Sequence, residues 1–400
     1  MARTVRLVLA AGAATLLGAL GAPLAAGAAP PAEGSILAAP GAEVVPDSYI
    51  VVLKAGGGTV AGQATKIAKR HDAKVRKTFS RTLRGFSASM SAQQARRLAA
   101  DPAVAYVQPN VVHHVAATQA NPPSYGLDRI DQRNLPLSSS YTYNQTASNV
   151  RAYIIDTGIR TSHADFGGRA VSGFDAVDGG AADDCNGHGT HVAGTVGGSA
   201  YGVAKGVRLV AVRVLDCNGS GTTEQVVAGI DWVTANAAKP AVANMSLGGG
   251  ADAALDDAVR RSIASGVTYA IAAGNGLLGL ISLDACTQSP ARVTEALTVS
   301  ATDNTDRKAS WANRGTCVDV FAPGIDITSA WNTDNAATNT ISGTSMATPH
   351  VTGAAALYLA GHPTATPAQV HAAIVSGATT GVVLSPGSGS PNRLLYTGGF

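Results

Sequence analysis

The chain has 400 residues, of which 46% are apolar and only 14% charged. That length can bury one large core or divide into two or three domains, and the apolar content excludes a disordered tail. The net charge of +3 averages two opposite segments: residues 29–116 carry 11 Lys+Arg against 5 Asp+Glu, and residues 117–400 carry 16 against 21. A basic segment before an acidic one argues against a nucleic-acid binder. It suggests two parts of one precursor that attract each other.

Residues 1–28 read as a secretory signal peptide. Arg3 and Arg6 precede an apolar run from Leu7 to Leu24, and Ala26-Gly27-Ala28 supplies small residues for cleavage. The expected location is therefore extracellular. No later stretch is long and apolar enough to cross a bilayer, so a soluble product without a membrane anchor is expected. In an oxidising compartment the four cysteines, Cys185, Cys217, Cys286 and Cys317, suggest disulfides, with three pairings open. A zinc site is disfavoured, because no CxxC pair occurs.

Residues 29–46 are rich in Pro, Ala and Gly and read as a linker. From Asp47, SYIVVLK is strand-like, residues 62–72 are helical in pattern, and KVRKTFSRTLRGFSASM alternates like two strands. Ser91 is placed to cap a second helix, and residues 103–107 form a last strand before an irregular stretch at 111–126. The order strand–helix–strand–strand–helix–strand is that of a small ferredoxin-like α+β domain, with its core at 47–110.

From about Val150, short β-rich runs (VRAYIID, LVAVRVLD, AVANMSL, GVTYAIAAG, ALTVSAT, VDVFAPG) alternate with helical stretches such as EQVVAGIDWVTANA. This argues for an α/β domain with a mainly parallel sheet and helices on both faces. Active sites of such sheets sit beyond the carboxyl ends of the strands.

The polar motifs fall there. One strand ends in Asp156-Thr157-Gly158, Gly187-His188-Gly189-Thr190-His191 opens a helix, and Ser345 heads a long Ala-rich helix. A helix N-terminus favours developing negative charge. Serine becomes a strong nucleophile only when a histidine takes its proton and a carboxylate holds that imidazole. Singly, Asp156 reads as a turn residue, Ser345 as a cap, and His188 with His191 as half a metal site. Together, ordered Asp–His–Ser and flanked by glycines that allow close backbone approach, they are far more specific.

The segments VRAYIIDTGI, CNGHGTHVAGTVGG, VRVLDCNGSG and SGTSMATPHVTG resemble the subtilase family of serine endopeptidases, its proteinase K group and aqualysin-type members above all. The resemblance implies a subtilisin-like protease domain at 117–400, preceded by a propeptide at 29–116 that chaperones and inhibits it. Self-cleavage is placed after Ala116. By the same resemblance Ser345 is the nucleophile, His188 the general base, Asp156 the orienting carboxylate, and Asn275 an oxyanion donor alongside the Ser345 N–H.

Further matches imply substrate strand addition between Gly219-Ser220-Gly221 and Ser246-Leu247-Gly248-Gly249. Ala272, Ala273 and Gly274 match the wall of the first specificity pocket. No charge occurs in these segments, so protein and peptide substrates cut after apolar or aromatic residues are expected. Sequential bridges Cys185–Cys217 and Cys286–Cys317 are implied. So is structural Ca²⁺ at two places: Thr294 and Ala296 carbonyls with Asp319, and Asp128, Asp131, Gln132, Ser138 and Ser140. A monomer is expected. The loop between Asn275 and Cys286 (GLLGLISLDA) is longer and more apolar than the aqualysin pattern. Its leucines either widen the substrate surface or pack on a neighbouring helix. An inactive binding protein of this fold would lack a catalytic part, and none is missing. A role confined to residues 47–116 would leave the large domain idle.

Overall fold

The computed structural model describes residues 32–37, 44–111 and 117–400. The segment expected to be a signal peptide and the expected processing point after Ala116 lie outside the described residues. The described chain divides into two compact units, residues 47–109 with 32–37, and residues 110–111 and 117–400 with 44–46.

In the smaller unit, strands Val44–Leu53, Lys74–Phe79, Gly85–Ser89 and Val104–Val111 form one sheet in the order second, third, first, fourth, with helices Val60–Arg70 and Ala92–Ala99. This is the ferredoxin-like order expected. Val51, Ile67, Phe86, Leu98 and Val107 form its core. Ser91 caps the second helix in a reciprocal box with Gln94, which satisfies two N–H groups that the helix leaves free.

The larger unit is built on a nine-stranded sheet. From one edge the strands run Thr379–Thr380, Arg393–Leu394, Val320–Pro323, Leu297–Thr302, Thr268–Ala272, Ala241–Met245, Arg151–Asp156, Arg208–Arg213 and Ala170–Asp175. Every pairing is parallel except the edge pair 379–380 with 393–394. Alternation along the central strands divides the core in two. Ala152, Ile154, Val242 and Ala270 face helices His188–Gly197 and Thr344–Gly361, while Tyr153, Ile155, Ala243 and Ile271 face Thr223–Asn236 and Ala253–Ala264. Both faces are covered, as the apolar strands require.

The expected irregular stretch at 111–126 is corrected in part. Ala117–Ala120 pairs antiparallel with Ser140–Tyr143, and helix Tyr125–Ile130 begins inside the stretch. A four-residue strand whose partner lies twenty residues on has no local periodicity to announce it.

Arg129 on that helix is fully buried. Its Nε and Nη2 donate to Asp306 Oδ1 at 2.6 Å and Oδ2 at 2.9 Å, and its Nη1 to the Gln132 carbonyl at 2.7 Å. Asp306 sits at φ 63°, a conformation Asn also tolerates. Asp306→Asn therefore keeps the backbone and removes the charge, leaving a buried cation unpaired. The expected loss is about 3–5 kcal/mol of unfolding free energy, measured by denaturant titration of the inhibited enzyme. A loss under about 1 kcal/mol would mean the pair is solvated.

Candidate active site

Asp156 ends the Arg151–Asp156 strand at the carboxyl edge of the sheet and is fully buried. Its Oδ1 accepts from Thr157 N at 2.8 Å and faces His188 Nδ1 at 2.7 Å. His188 is the first residue of helix His188–Gly197. Burial pushes its pKa down, but the charge and hydrogen bond of Asp156, helped by Asp184, outweigh that and hold it above the ordinary 6.5.

The turn before His188 is built by Asp184, a residue the sequence reading overlooked. Its Oδ1 accepts from Asn186 N, Gly187 N and the Thr157 hydroxyl, and its Oδ2 from Thr190 N and Oγ1. The Thr157 hydroxyl accepts from Gly189 N in turn. One carboxylate thus ties the strand carrying Asp156 to the helix carrying His188. The available signal was an acid just before a helix start, where it satisfies free N–H groups. A Cβ on Gly189 would lie 2.1 Å from the Gly158 carbonyl oxygen, so only glycine lets the two segments touch.

His191 is not paired with His188 around a metal. Its Nε2 bonds the Ile327 carbonyl at 2.9 Å, its ring packs edge-on against Trp331, and burial pushes its pKa down to about 4.

Ser345 is the second residue of helix Thr344–Gly361. Its hydroxyl donates to the Ser246 carbonyl at 3.1 Å. Asn275 follows the Thr268–Ala272 strand through Ala273 and Gly274, and its Oδ1 accepts from Thr344 N at 2.9 Å and Thr344 Oγ1 at 2.8 Å. That leaves the amide nitrogen free to donate. A Cβ built on Gly343 would lie 3.5 Å from Ser345 N and 3.6 Å from Asn275 Nδ2. The two donors therefore border one small space beside Gly343, suited to an oxyanion.

A cleft of about 770 Å³ opens beside His188, with Gly219-Ser220-Gly221 and Ser246-Leu247-Gly248-Gly249 in its lining. Ala272, the last residue of its strand, and Ala273 are buried, and Gly274 carries the chain on into Asn275. The bridge Cys185–Cys217 joins the His188 turn to the cleft rim, where Asn186 Nδ2 also bonds the Cys217 carbonyl at 2.9 Å. Cys286–Cys317 bridges positions 31 apart in the chain, with Cys286 just beyond the loop that follows Asn275. In that loop Leu277, Leu278, Leu280 and Ile281 are 54%, 86%, 74% and 60% exposed. None of the four belongs to a buried core cluster among the described residues.

The residues expected to hold cations fall into two groups. Asp128 Oδ1 accepts from Ser138 N and Oγ, both at 2.9 Å, Ser138 Oγ meets Ser140 Oγ at 2.8 Å, and Asp131 Oδ2 accepts from Thr142 N at 2.6 Å. The Gln132 amide donates to the Asn134 and Pro136 carbonyls. In the second group Asp319 Oδ2 accepts from Thr298 N at 2.8 Å, and Oδ1 faces His371 Nε2 at 3.3 Å. Among the described residues no cluster of three His, Cys, Asp or Glu is placed to hold a metal.

A mainly parallel sheet with helices on both faces, Asp156 and His188 at its carboxyl edge, and Ser345 at a helix start define a subtilisin-like α/β protein. The Subtilase family pattern matches residues 148–394, and the Peptidase inhibitor I9 pattern matches residues 48–116. The chain is 52% identical over 386 residues to the extracellular serine proteinase of Thermus sp. (strain Rt41A), covering 91% of this chain and 93% of that relative. It is 48% identical over 379 residues to alkaline serine exoprotease A of Vibrio alginolyticus, covering 91% and 70%. Among solved structures, a cold adapted subtilisin-like serine proteinase matches with TM-score 0.66 at 55% identity, covering 68% of this chain and 97% of that one. The chain belongs to the subtilase family and is a serine endopeptidase with an I9 propeptide domain.

Proposed function

We propose that Ser345, His188 and Asp156 are the catalytic triad and Asn275 the oxyanion donor. The observation that carries this is the 2.7 Å Asp156–His188 pair beside the cleft, with Asn275 Nδ2 and Ser345 N bordering one space at the nucleophile. The Ser345 hydroxyl rotates from the Ser246 carbonyl, gives its proton to His188 Nε2 and attacks the scissile carbonyl. Asp156 holds Nδ1–H and stabilises the imidazolium. His188 then protonates the leaving amine, and water releases the acyl group by the reverse steps.

The peptide lies as an added strand between residues 219–221, all exposed, and 246–249, of which Gly248 and Gly249 are exposed, and neither segment carries a charge. The exposed leucines of the 276–285 loop extend this surface and favour apolar flanking residues. The protein is secreted, acts as a monomer on proteins, and is inhibited by its own propeptide until it cuts after Ala116. A serine-directed sulfonyl fluoride should label the peptide containing Ser345 and no other. Inactivation with the label elsewhere overturns the assignment.

Asn275→Leu keeps the bulk but loses the donor. The expected fall in kcat is about 10²–10³, the size found for the same donor type in a subtilisin, with KM little changed. Peptide-amide kinetics measures it, and a fall below about tenfold would remove Asn275 from the oxyanion site.

Calcium fits the Asp128–Asp131 group. Asp131 Oδ1 is buried without a protein partner, and burial together with the Asp128 charge pushes this carboxyl up to about 6. A hard cation held by Asp128, Asp131 and the neighbouring serine oxygens would supply the missing partner and offset the repulsion. The Asp319 group fits less well, since a cation there competes with His371. A chelator is expected to lower the melting temperature of the wild type and to leave Asp131→Asn almost unmoved. Equal sensitivity of the two proteins would rule out this group.

A further inference from the structure

Helix Thr344–Gly361 carries Pro349 in its second turn. In an α-helix the N–H of residue 349 would bond the carbonyl of residue 345, and proline has no N–H to give. The Ser345 carbonyl is bonded instead by the Ser246 hydroxyl at 2.8 Å, from outside the helix. Since the Ser345 hydroxyl donates to the Ser246 carbonyl, the two serines exchange a reciprocal pair.

Ser246 does not stand alone. Its Oγ accepts from Asn244 Nδ2 at 2.9 Å, and Asn244 Oδ1 accepts from Thr352 Oγ1 at 2.7 Å. Asn244 and Thr352 are fully buried and Ser246 is 4% exposed. Thr352 lies two helical turns beyond Ser345 on the same face, and Asn244 points from its strand toward that helix. The Thr348 carbonyl, at 3.3 Å, is the more distant acceptor for the Thr352 proton. The direction of the chain follows from its end. If the Asn244 amide were flipped, Ser246 would donate to Asn244 Oδ1, and the Ser345 carbonyl would lose the donor that replaces its missing helical one. All three donors therefore run one way, Thr352 to Asn244 to Ser246 to Ser345, an arrangement in which each bond polarises the next.

We propose that Asn244 and Thr352 are positioning residues for Ser345, acting through Ser246. The inference rests on the reading of Ser345 as the nucleophile. Ser246 begins the strip 246–249 on which the substrate is expected to pair, so the relay sets the nucleophile against the strip that holds the scissile bond. Small displacements there are costly, because attack requires reacting atoms at about 3–3.5 Å. Neither residue touches substrate.

The test uses the full precursor, matured by its own cleavage, with kinetics on a peptide amide after active-site titration. Thr352→Val keeps the shape and deletes the hydroxyl, and Thr352→Ser keeps the hydroxyl. Thr352→Val should lower kcat about tenfold with KM and the pH profile held, while Thr352→Ser stays within about twofold of wild type. Ser246→Ala should lower kcat likewise, and adding Thr352→Val to it should change little further, since the two act through one link. Full kcat in Thr352→Val, with only its melting temperature lowered, overturns the proposal, as does equal loss in Thr352→Ser. If Thr352→Val does not accumulate, Ser246→Ala carries the test: unchanged kcat overturns the relay. Ser345→Ala run alongside separates the two readings. Activity in that variant removes the nucleophile and the relay together, whereas an inactive Ser345→Ala with an unimpaired Thr352→Val removes the relay alone.

Discussion

Replacing Ser345 by Ala should lower turnover by about 10⁶, the size found on removing a subtilisin's nucleophile, and leave the precursor uncut near Ala116. No neighbouring group can take over the attack. The Thr344 hydroxyl, next in the chain, donates to Asn275 Oδ1 at 2.8 Å and accepts from Gly274 N at 3.2 Å, so it is committed to the turn. The proposed oxyanion donors survive the substitution and should leave a residual rate above water. Intact mass of the purified product and a casein assay give both readouts. A variant precursor that matures without added protease would exclude Ser345 as the nucleophile and detach maturation from this site.

How much of this site the sequence discloses depends on how local each signal is. Asp156 at the end of VRAYIID, His188 after a glycine, and Ser345 before an Ala-rich run are each marked by their own neighbours, and the structure places them at a strand end and two helix starts. The Ser91 capping box is local in the same sense. Asp184 was legible only in part: four of its five acceptor contacts lie within its own turn and the helix start, but the fifth, which ties in the strand of Asp156, reaches Thr157, 27 residues away. Asn244 and Thr352, 108 residues apart, meet only because a helix crosses one face of the sheet. Arg129 finds Asp306 at a separation of 177. Buried polar pairs of this kind follow from tertiary packing, and no periodicity announces them. The orientation of the 276–285 leucines is open for the opposite reason. An apolar run has the same composition whether packed or exposed, and exposure is decided by what lies beside it.

Asp156→Asn tests the electrostatic half of the site. In the wild type, burial alone would depress the His188 pKa, and Asp156 reverses that, holding it above 6.5. As the proposed base, His188 works only when neutral, so activity is expected to fall with acidity through a limb lying above the ordinary histidine value. Asn removes the charge while its carbonyl can still accept from Thr157 N and His188 Nδ1, the two donors that share Oδ1. Burial then acts unopposed on the imidazole, and the acid limb moves to lower pH. Turnover falls even where the base is fully neutral, because the imidazolium formed during attack has lost its counter-charge. A further cost comes from placing an Asn N–H where Asp156 Oδ2 has no protein partner. The expected loss is on the order of 10⁴ in kcat. A pH–rate profile of both proteins measures the two effects separately. An unmoved limb would mean that Asp156 does not set the His188 pKa, and a loss below about tenfold would mean that charge is not what this carboxylate contributes.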